Sequence, residues 1–247
     1  MERWAGSVAF VTGASSGIGE AVVQQLVDSG LKVVGFARRK QLLDQLAKDL
    51  SSKKGKFYTY EGDVSKESDV LKAYQWTKEN VGPVSIVINN AGAINYSKIL
   101  ESTTEKWRQV LDVNVLGVCI STREAIKHMK ENNIDGHVIN LNSVLGHKVG
   151  SMDGDIYGAT KYAVTSLTET LRLELAKENS KIRVTSISPG AVQTETLDKV
   201  LELAKLPPGA VSTLAASDIA DAIIYVLSAP QSVNVSELII QVTGEIF

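Results

Sequence analysis

Ser7-Val-Ala-Phe-Val-Thr-Gly-Ala-Ser-Ser-Gly-Ile-Gly19 runs from a short apolar, β-branched segment straight into a glycine-rich turn that opens a helix. Glycines at 13, 17 and 19 permit a tight turn, close approach of the backbone to a ligand, and close packing of helix on strand. Gly13, Ser15, Ser16, Gly17, Ile18 and Gly19 would then turn backbone N–H groups and a helix N-terminus towards a pyrophosphate. An ordinary glycine-rich turn is the competing reading, and the position between a strand and a helix weighs against it.

Outward from this turn, short β-branched runs alternate with longer amphipathic stretches along the whole chain, the pattern of successive βα units. The spacing predicts strands at 7–12, 32–37, 57–61, 85–89, 136–142, 183–188 and 237–241. Ile86, Val87 and Ile88 are apolar at consecutive positions, as expected of a parallel strand covered on both faces. The longest helical reading covers 157–177, where Val164, Leu167, Leu171 and Leu175 mark one face. The expected fold is therefore α/β: a single Rossmann domain over 1–247, its doubly wound seven-stranded parallel sheet carrying helices on both faces. An excursion is expected at about 195–216, around Leu206-Pro-Pro-Gly209 and between short helices at about 195–204 and 217–227.

Composition narrows the function classes. The chain has 247 residues, 44% of them hydrophobic, enough for a sizeable core. Lys and Arg total 26 against 28 Asp and Glu, so there is no bulk attraction to a polyanion and no nucleic-acid partner is expected. Cys119 is the only cysteine, which excludes an intrachain disulfide, and the three histidines show no metal-ligand spacing. The N-terminus lacks the basic and apolar regions of a signal peptide, and no stretch reaches the roughly 18 apolar residues that span a bilayer. The expectation is a cytoplasmic protein without a metal.

The second predicted strand ends Gly35-Phe-Ala-Arg-Arg39, without the acidic side chain that often holds an adenosine ribose. Ala37 followed by the guanidinium groups of Arg38 and Arg39 suits the 2′-phosphate of NADP(H); a solvated basic turn is the alternative. Asp63 and Val64, just past the third strand, would lie beside an adenine, unless Asp63 is a turn cap.

Tyr157 and Lys161 stand four residues apart and share a helix face. A nearby cation stabilises a phenolate and is expected to bring the phenol down from its usual pKa of about 10, making Tyr157 a candidate general acid/base. On its own the pair reads more simply as an aromatic packed at a helix start. Two further positions give it company. Ser143, at the end of a predicted strand, could donate to a substrate oxygen at the carboxyl edge of the sheet. Asn114 interrupts an apolar helical stretch and is either a satisfied buried polar group or a functional one.

Taken together, Thr12-Gly-x-x-x-Gly-x-Gly19, Asn89-Asn-Ala-Gly92, Asn114, Ser143, Tyr157-x-x-x-Lys161 and Pro189-Gly190 resemble the short-chain dehydrogenase/reductase family over nearly the whole chain. The resemblance implies that Tyr157 gives the proton to a carbonyl and that Lys161 lowers its pKa and holds the nicotinamide ribose. It also implies that Ser143 polarises the carbonyl and that Asn114 supports a water-linked proton path to Lys161. Asn90, Ala91 and Gly92 would contact the adenosine side, and Pro189, Gly190, Val192 and Thr194 would line the nicotinamide. Trp4, the run 122–147 and the run 222–230 resemble a subgroup that uses NADP(H) on steroid ketones, isoprenoid alcohols or other lipophilic carbonyls.

The expected activity is hydride transfer between NADP(H) and a lipophilic ketone, aldehyde or alcohol; the alternative is a catalytically silent NADP(H)-binding sensor or assembly protein. Segments 146–156 and 195–216 are expected to form the substrate pocket, the second contributing Leu197, Val200, Leu201, Leu203, Leu206, Val211 and Leu214. His147 is read as a loop residue rather than a substrate ligand. The resemblance also implies a homo-oligomer, dimer or tetramer, through helices following Glu105 and Tyr157, with Trp107, Val110, Val113, Leu116 and Ile120 spread around the first.

Overall fold

The computed structural model describes residues 1–150, 154–207 and 209–244; positions 151–153 of the expected substrate segment, and Pro208 of the expected excursion, lie outside the described residues. The apolar runs form strands β1 (Val8–Thr12), β2 (Lys32–Ala37), β3 (Lys56–Glu61), β4 (Val84–Asn89), β5 (His137–Leu141), β6 (Arg183–Pro189) and β7 (Glu237–Ile240). They build one seven-stranded sheet in the order β3-β2-β1-β4-β5-β6-β7, with every neighbouring pair parallel. Between them run α1 (Gly17–Asp28), α2 (Lys40–Asp49), α3 (Glu67–Asn80), α4 (Thr104–Leu111), α5 (Gly117–Glu131), α6 (Tyr157–Lys177), α7 (Glu195–Leu203) and α8 (Ala216–Ser228).

Strand alternation divides the apolar residues between two cores. Ala9 and Val11 of β1 face α1 and α8, where Val23, Leu26, Ile219 and Ile223 pack, whereas Val8 and Phe10 face α3 and α5, where Val70, Tyr74 and Met129 pack. Phe10 stacks on Tyr74 with ring centroids 4.3 Å apart, and the buried Tyr74 hydroxyl pairs with Ser121 at 3.1 Å. Central strands are covered on both faces and are fully buried; the edge strands β3 and β7 remain partly exposed.

The strand order reverses between β1 and β4, which opens a crevice beyond their carboxyl ends, the place where doubly wound sheets bind ligands. A buried polar chain braces that end from below. Asn89 donates to Thr122 and to Asn140, each at 2.8 Å, and Asn140 donates to Thr168 at 2.9 Å, joining β4 and β5 to α5 and α6. The helical stretch that Asn114 interrupts is not continuous α-helix. A five-residue π-helical turn, Asp112–Leu116, separates α4 from α5, and its extra residue rotates Asn114 inward until 1% of it is exposed.

Candidate active site

The crevice is a cleft of 1520 Å³ along the carboxyl ends of the strands. Its floor is the glycine-rich turn. Gly13 and Gly17 adopt left-handed backbone angles, φ +67° and +58°, and a Cβ on Gly13 would lie 2.8 Å from the Ala91 Cα. A Cβ on Gly19 would overlap the Gly13 carbonyl oxygen, so this position sets how closely α1 packs under the turn. No side chain among the described residues caps the N-terminus of α1 at Ser16, leaving its amides directed at the cleft. Thr12 and Asn90 brace the turn: the Thr12 hydroxyl accepts from the Asn90 and Ala91 amides at 3.1 and 3.0 Å, and the Asn90 carboxamide donates to the Thr12 and Gly13 carbonyls. The side chain of Asn90 is thereby committed to the loop it supports.

At one end of the cleft stand Arg38 and Arg39, with Asp63 and Val64 opposite. Asp63 folds back as a turn cap, accepting from the Ser65 amide at 3.0 Å and its hydroxyl at 2.7 Å. Arg39 is engaged: it pairs with Glu195 of α7 at 2.6 Å, donates to the Ser16 hydroxyl, and reaches Ser15 at 3.4 Å. Arg38 is exposed, and its guanidinium has no hydrogen-bond or ion-pair partner among the described residues. An uncapped helix N-terminus and glycines where a Cβ would obstruct together fit the pyrophosphate of a dinucleotide.

Ser143, Tyr157 and Lys161 meet at the middle of the cleft. Ser143 follows β5 and caps a short 3₁₀ turn, its oxygen accepting from the Leu145 amide at 3.1 Å. Tyr157 is the first residue of α6 and Lys161 lies one turn on, its ammonium 5.6 Å from the phenol ring centre and donating to the Leu141 carbonyl at 2.8 Å. Burial pushes the Tyr157 phenol up to about 12, the Ser143 hydrogen bond pulling the other way, and burial brings the Lys161 ammonium down to about 8. This corrects the sequence expectation of a lowered phenol. Burial is the dominant cause for both groups, because taking a phenolate or an ammonium out of water disfavours its charged form.

Asn114 lies under this centre rather than in it. Its carboxamide accepts from the Ala93 amide at 2.7 Å and donates to the Ala93 carbonyl at 2.8 Å and to Thr160 at 3.0 Å, fastening the loop after β4 to the first turn of α6. Gly19 and Asn114 are the predicted site residues that do not line the cleft; all the others do, including Ala91, Gly92, Pro189, Gly190, Val192 and Thr194.

The substrate end differs from the sequence reading. Leu197, Val200 and Val211 line the cleft as expected, but Leu201 is buried, Leu214 packs against the α1/α8 core, and Leu203 and Leu206 are exposed away from it. The opposite wall, Ile94, Tyr96, Ile99 and Leu100, went unread because the loop after β4 has no periodicity to mark it. His147 turns away from the cleft and pairs with Ser188 at 3.0 Å, while Ser188 donates to Glu237 at 2.7 Å.

An uncapped helix over a glycine turn, and a serine, tyrosine and lysine gathered above the switch point, define a nucleotide-dependent oxidoreductase of the α/β class. The short chain dehydrogenase family matches residues 7–204, and the chain belongs to that family of oxidoreductases, which act on CH–OH groups with nicotinamide cofactors. It is similar along its whole length to farnesol dehydrogenase of Aedes aegypti, 43% identical over 251 residues and covering 100% of both chains. Dehydrogenase/reductase SDR family member 11 of Gallus gallus is 45% identical over 254 residues, again covering 100% of both. Among solved structures, the closed form of a serine dehydrogenase complexed with NADP+ superposes with a TM-score of 0.85 at 27% identity, over 97% of this chain and 96% of that one.

Proposed function

We propose that this chain is an NADP(H)-dependent oxidoreductase acting on uncharged, lipophilic ketones, aldehydes and the corresponding alcohols. The observation that carries the reading is the convergence of Ser143, Tyr157 and Lys161 in one cleft that ends at a partnerless Arg38 and is walled by Ile94, Tyr96, Leu145, Leu197, Val200 and Val211. No arginine among the described residues lies on the substrate side; Lys98, Lys148 and Lys199 can extend their ammonium groups to water along their stems. The names of the Aedes and Gallus relatives, one of them a dehydrogenase of an isoprenoid alcohol, support the same class.

In this reading Gly13, Ser15, Ser16, Gly17 and Ile18 hold the pyrophosphate of the dinucleotide. Arg38 and Arg39 hold its 2′-phosphate, Asp63 and Val64 flank the adenine, and Pro189, Gly190, Val192 and Thr194 hold the nicotinamide. Bound nicotinamide supplies or accepts the hydride. The chain handles the proton. With its phenol pushed up to about 12, Tyr157 is protonated at neutral pH and serves as the acid that hands a proton to the carbonyl oxygen during reduction. Ser143 donates a hydrogen bond to the same oxygen and keeps its proton, while one of its two lone pairs accepts from the Leu145 amide. Lys161, anchored by one N–H to Leu141, keeps two N–H groups for the ribose hydroxyls and steadies the charge that grows on the phenol. Asn114 acts from beneath, fixing Ala93 and Thr160 and so the first turn of α6 that carries Tyr157 and Lys161.

A homo-oligomer is part of the same reading, supported by Leu111 and Leu116 at the α4/α5 junction and Leu173 of α6, all at least 42% exposed. A cytoplasmic location rests on the sequence alone. The test is a panel of steroid, isoprenoid and aromatic carbonyls against carboxylated and phosphorylated ones, assayed with NADPH and with NADH. Higher kcat/KM on the anionic carbonyls, or equal use of NADH, overturns the assignment.

A further inference from the structure

We propose that Asp155 is a positioning residue for Tyr157, tying the phenol to the substrate wall formed by the loop after β4; this rests on the reading of Tyr157 as the acid. Asp155 stands two residues before Tyr157 and holds a left-handed backbone, φ +50°. Three donors from one distant segment converge on its carboxylate: the Trp107 indole N–H at 2.7 Å on Oδ1, and the Asn95 carboxamide at 2.9 Å and the Ser102 hydroxyl at 2.6 Å on Oδ2. Its own amide donates to the Ser97 carbonyl at 3.0 Å, and Ser97 and Gly154 form a parallel bridge. Every polar link from residue 155 to that segment therefore ends between Asn95 and Trp107, the stretch that also contributes Tyr96, Ile99 and Leu100 to the cleft.

The helix it precedes has no side-chain cap at Ile156, so the carboxylate beside the Ile156 amide also sets a negative charge at the positive end of the α6 dipole. Burial pushes the carboxyl up, but the bonds from Ser102, Asn95, Trp107 and the Ile156 amide outweigh it and hold the group below its usual range, ionised at neutral pH. An ionised carboxylate satisfies this arrangement with every donor as it stands. Three side-chain donors need acceptors on both oxygens, and an amide in its place would turn an NH₂ towards at least one of them. The consequence is geometric: Tyr157 begins α6 at a fixed distance from the wall against which a substrate lies.

The experiment compares Asp155→Asn and Asp155→Gly with the full-length wild type. Both residues tolerate the left-handed backbone, so the variants remove the carboxylate without adding strain. A displaced acid costs turnover, so kcat is expected to fall by about tenfold or more, with the NADPH dissociation constant within about twofold of wild type. A general loosening of the fold would move both. Trp107 emission reports the node directly: the spectral component removed by Trp107→Phe is expected to shift in Asp155→Asn, whether or not the chain turns over any carbonyl. If a variant does not fold, Ser102→Ala and Trp107→Phe remove single donors and are each expected to lower kcat by about two- to fivefold. An active wild type whose soluble Asp155 variants, or whose two donor variants, keep full kcat overturns the positioning role. A wild type with no NADPH-dependent turnover, but an intact Trp107 shift, overturns the functional reading instead.

Discussion

Replacing Arg38 by alanine should cost NADPH more affinity than replacing Arg39, although both guanidinium groups stand at the end of β2. Arg39 already holds Glu195 at 2.6 Å and the Ser16 hydroxyl, so a phosphate must displace contacts before it gains them. That ion pair is half exposed, 45% and 55% for its two side chains, and such pairs contribute about 0–1 kcal/mol, which is subtracted from whatever Arg39 gains. Arg38 has nothing to give up. A charge-assisted contact to the phosphate is worth about 1.5–3 kcal/mol, or roughly ten- to hundredfold in dissociation constant. Titration of each variant with NADPH and NADH, followed by nucleotide fluorescence, should show Arg38→Ala weakening NADPH by that factor while NADH changes by about twofold at most. Arg39→Ala should show a smaller loss, and Glu195→Gln, by releasing Arg39, a modest gain in NADPH affinity. Equal weakening of both nucleotides by Arg38→Ala, or a larger loss from Arg39→Ala, would refute the reasoning.

Tyr157→Phe should lower turnover by about a hundredfold or more while NADPH binding stays near wild type, and retention of a tenth of the activity would remove Tyr157 from the acid role. Lys161 ionises near about 8 in the fold against 10.5 when free, so between those values the unfolded chain binds a proton that the native chain has released, and stability rises with pH. Below that window the full burial cost applies; Lys161→Met should therefore be more stable than wild type at pH 7 by up to about 3 kcal/mol, with the gap closing as pH climbs through the window. Denaturant unfolding at the two ends of the window checks this, and a variant no more stable than wild type at pH 7 would contradict it. Gly19→Ala forces a Cβ onto the Gly13 carbonyl and should destabilise by about 1–3 kcal/mol while weakening either nucleotide, measured by thermal melts and the same titrations.

Wherever a local rule operates, the sequence was decisive. The β-branched runs against Gly13, Gly17 and Gly19 specified strand, turn and helix because strand and helix periodicity and glycine backbone freedom act within a dozen residues; α6 spans 157–177, as its apolar spacing required. Tyr157 and Lys161 share a face for the same reason. Only the tertiary structure decided what depends on partners far away in the chain. Asp155 is indistinguishable in sequence from any turn aspartate, and its meaning comes from donors 48 to 60 residues distant. The commitment of Arg39 to Glu195, 156 positions on, and the wall built by the loop after β4 are likewise products of chain crossing. The phenol of Tyr157 shows the limit most clearly. Spacing revealed a cation beside it and suggested a lowered pKa, whereas the direction is set by the burial that the assembled cleft imposes, which no stretch of sequence carries.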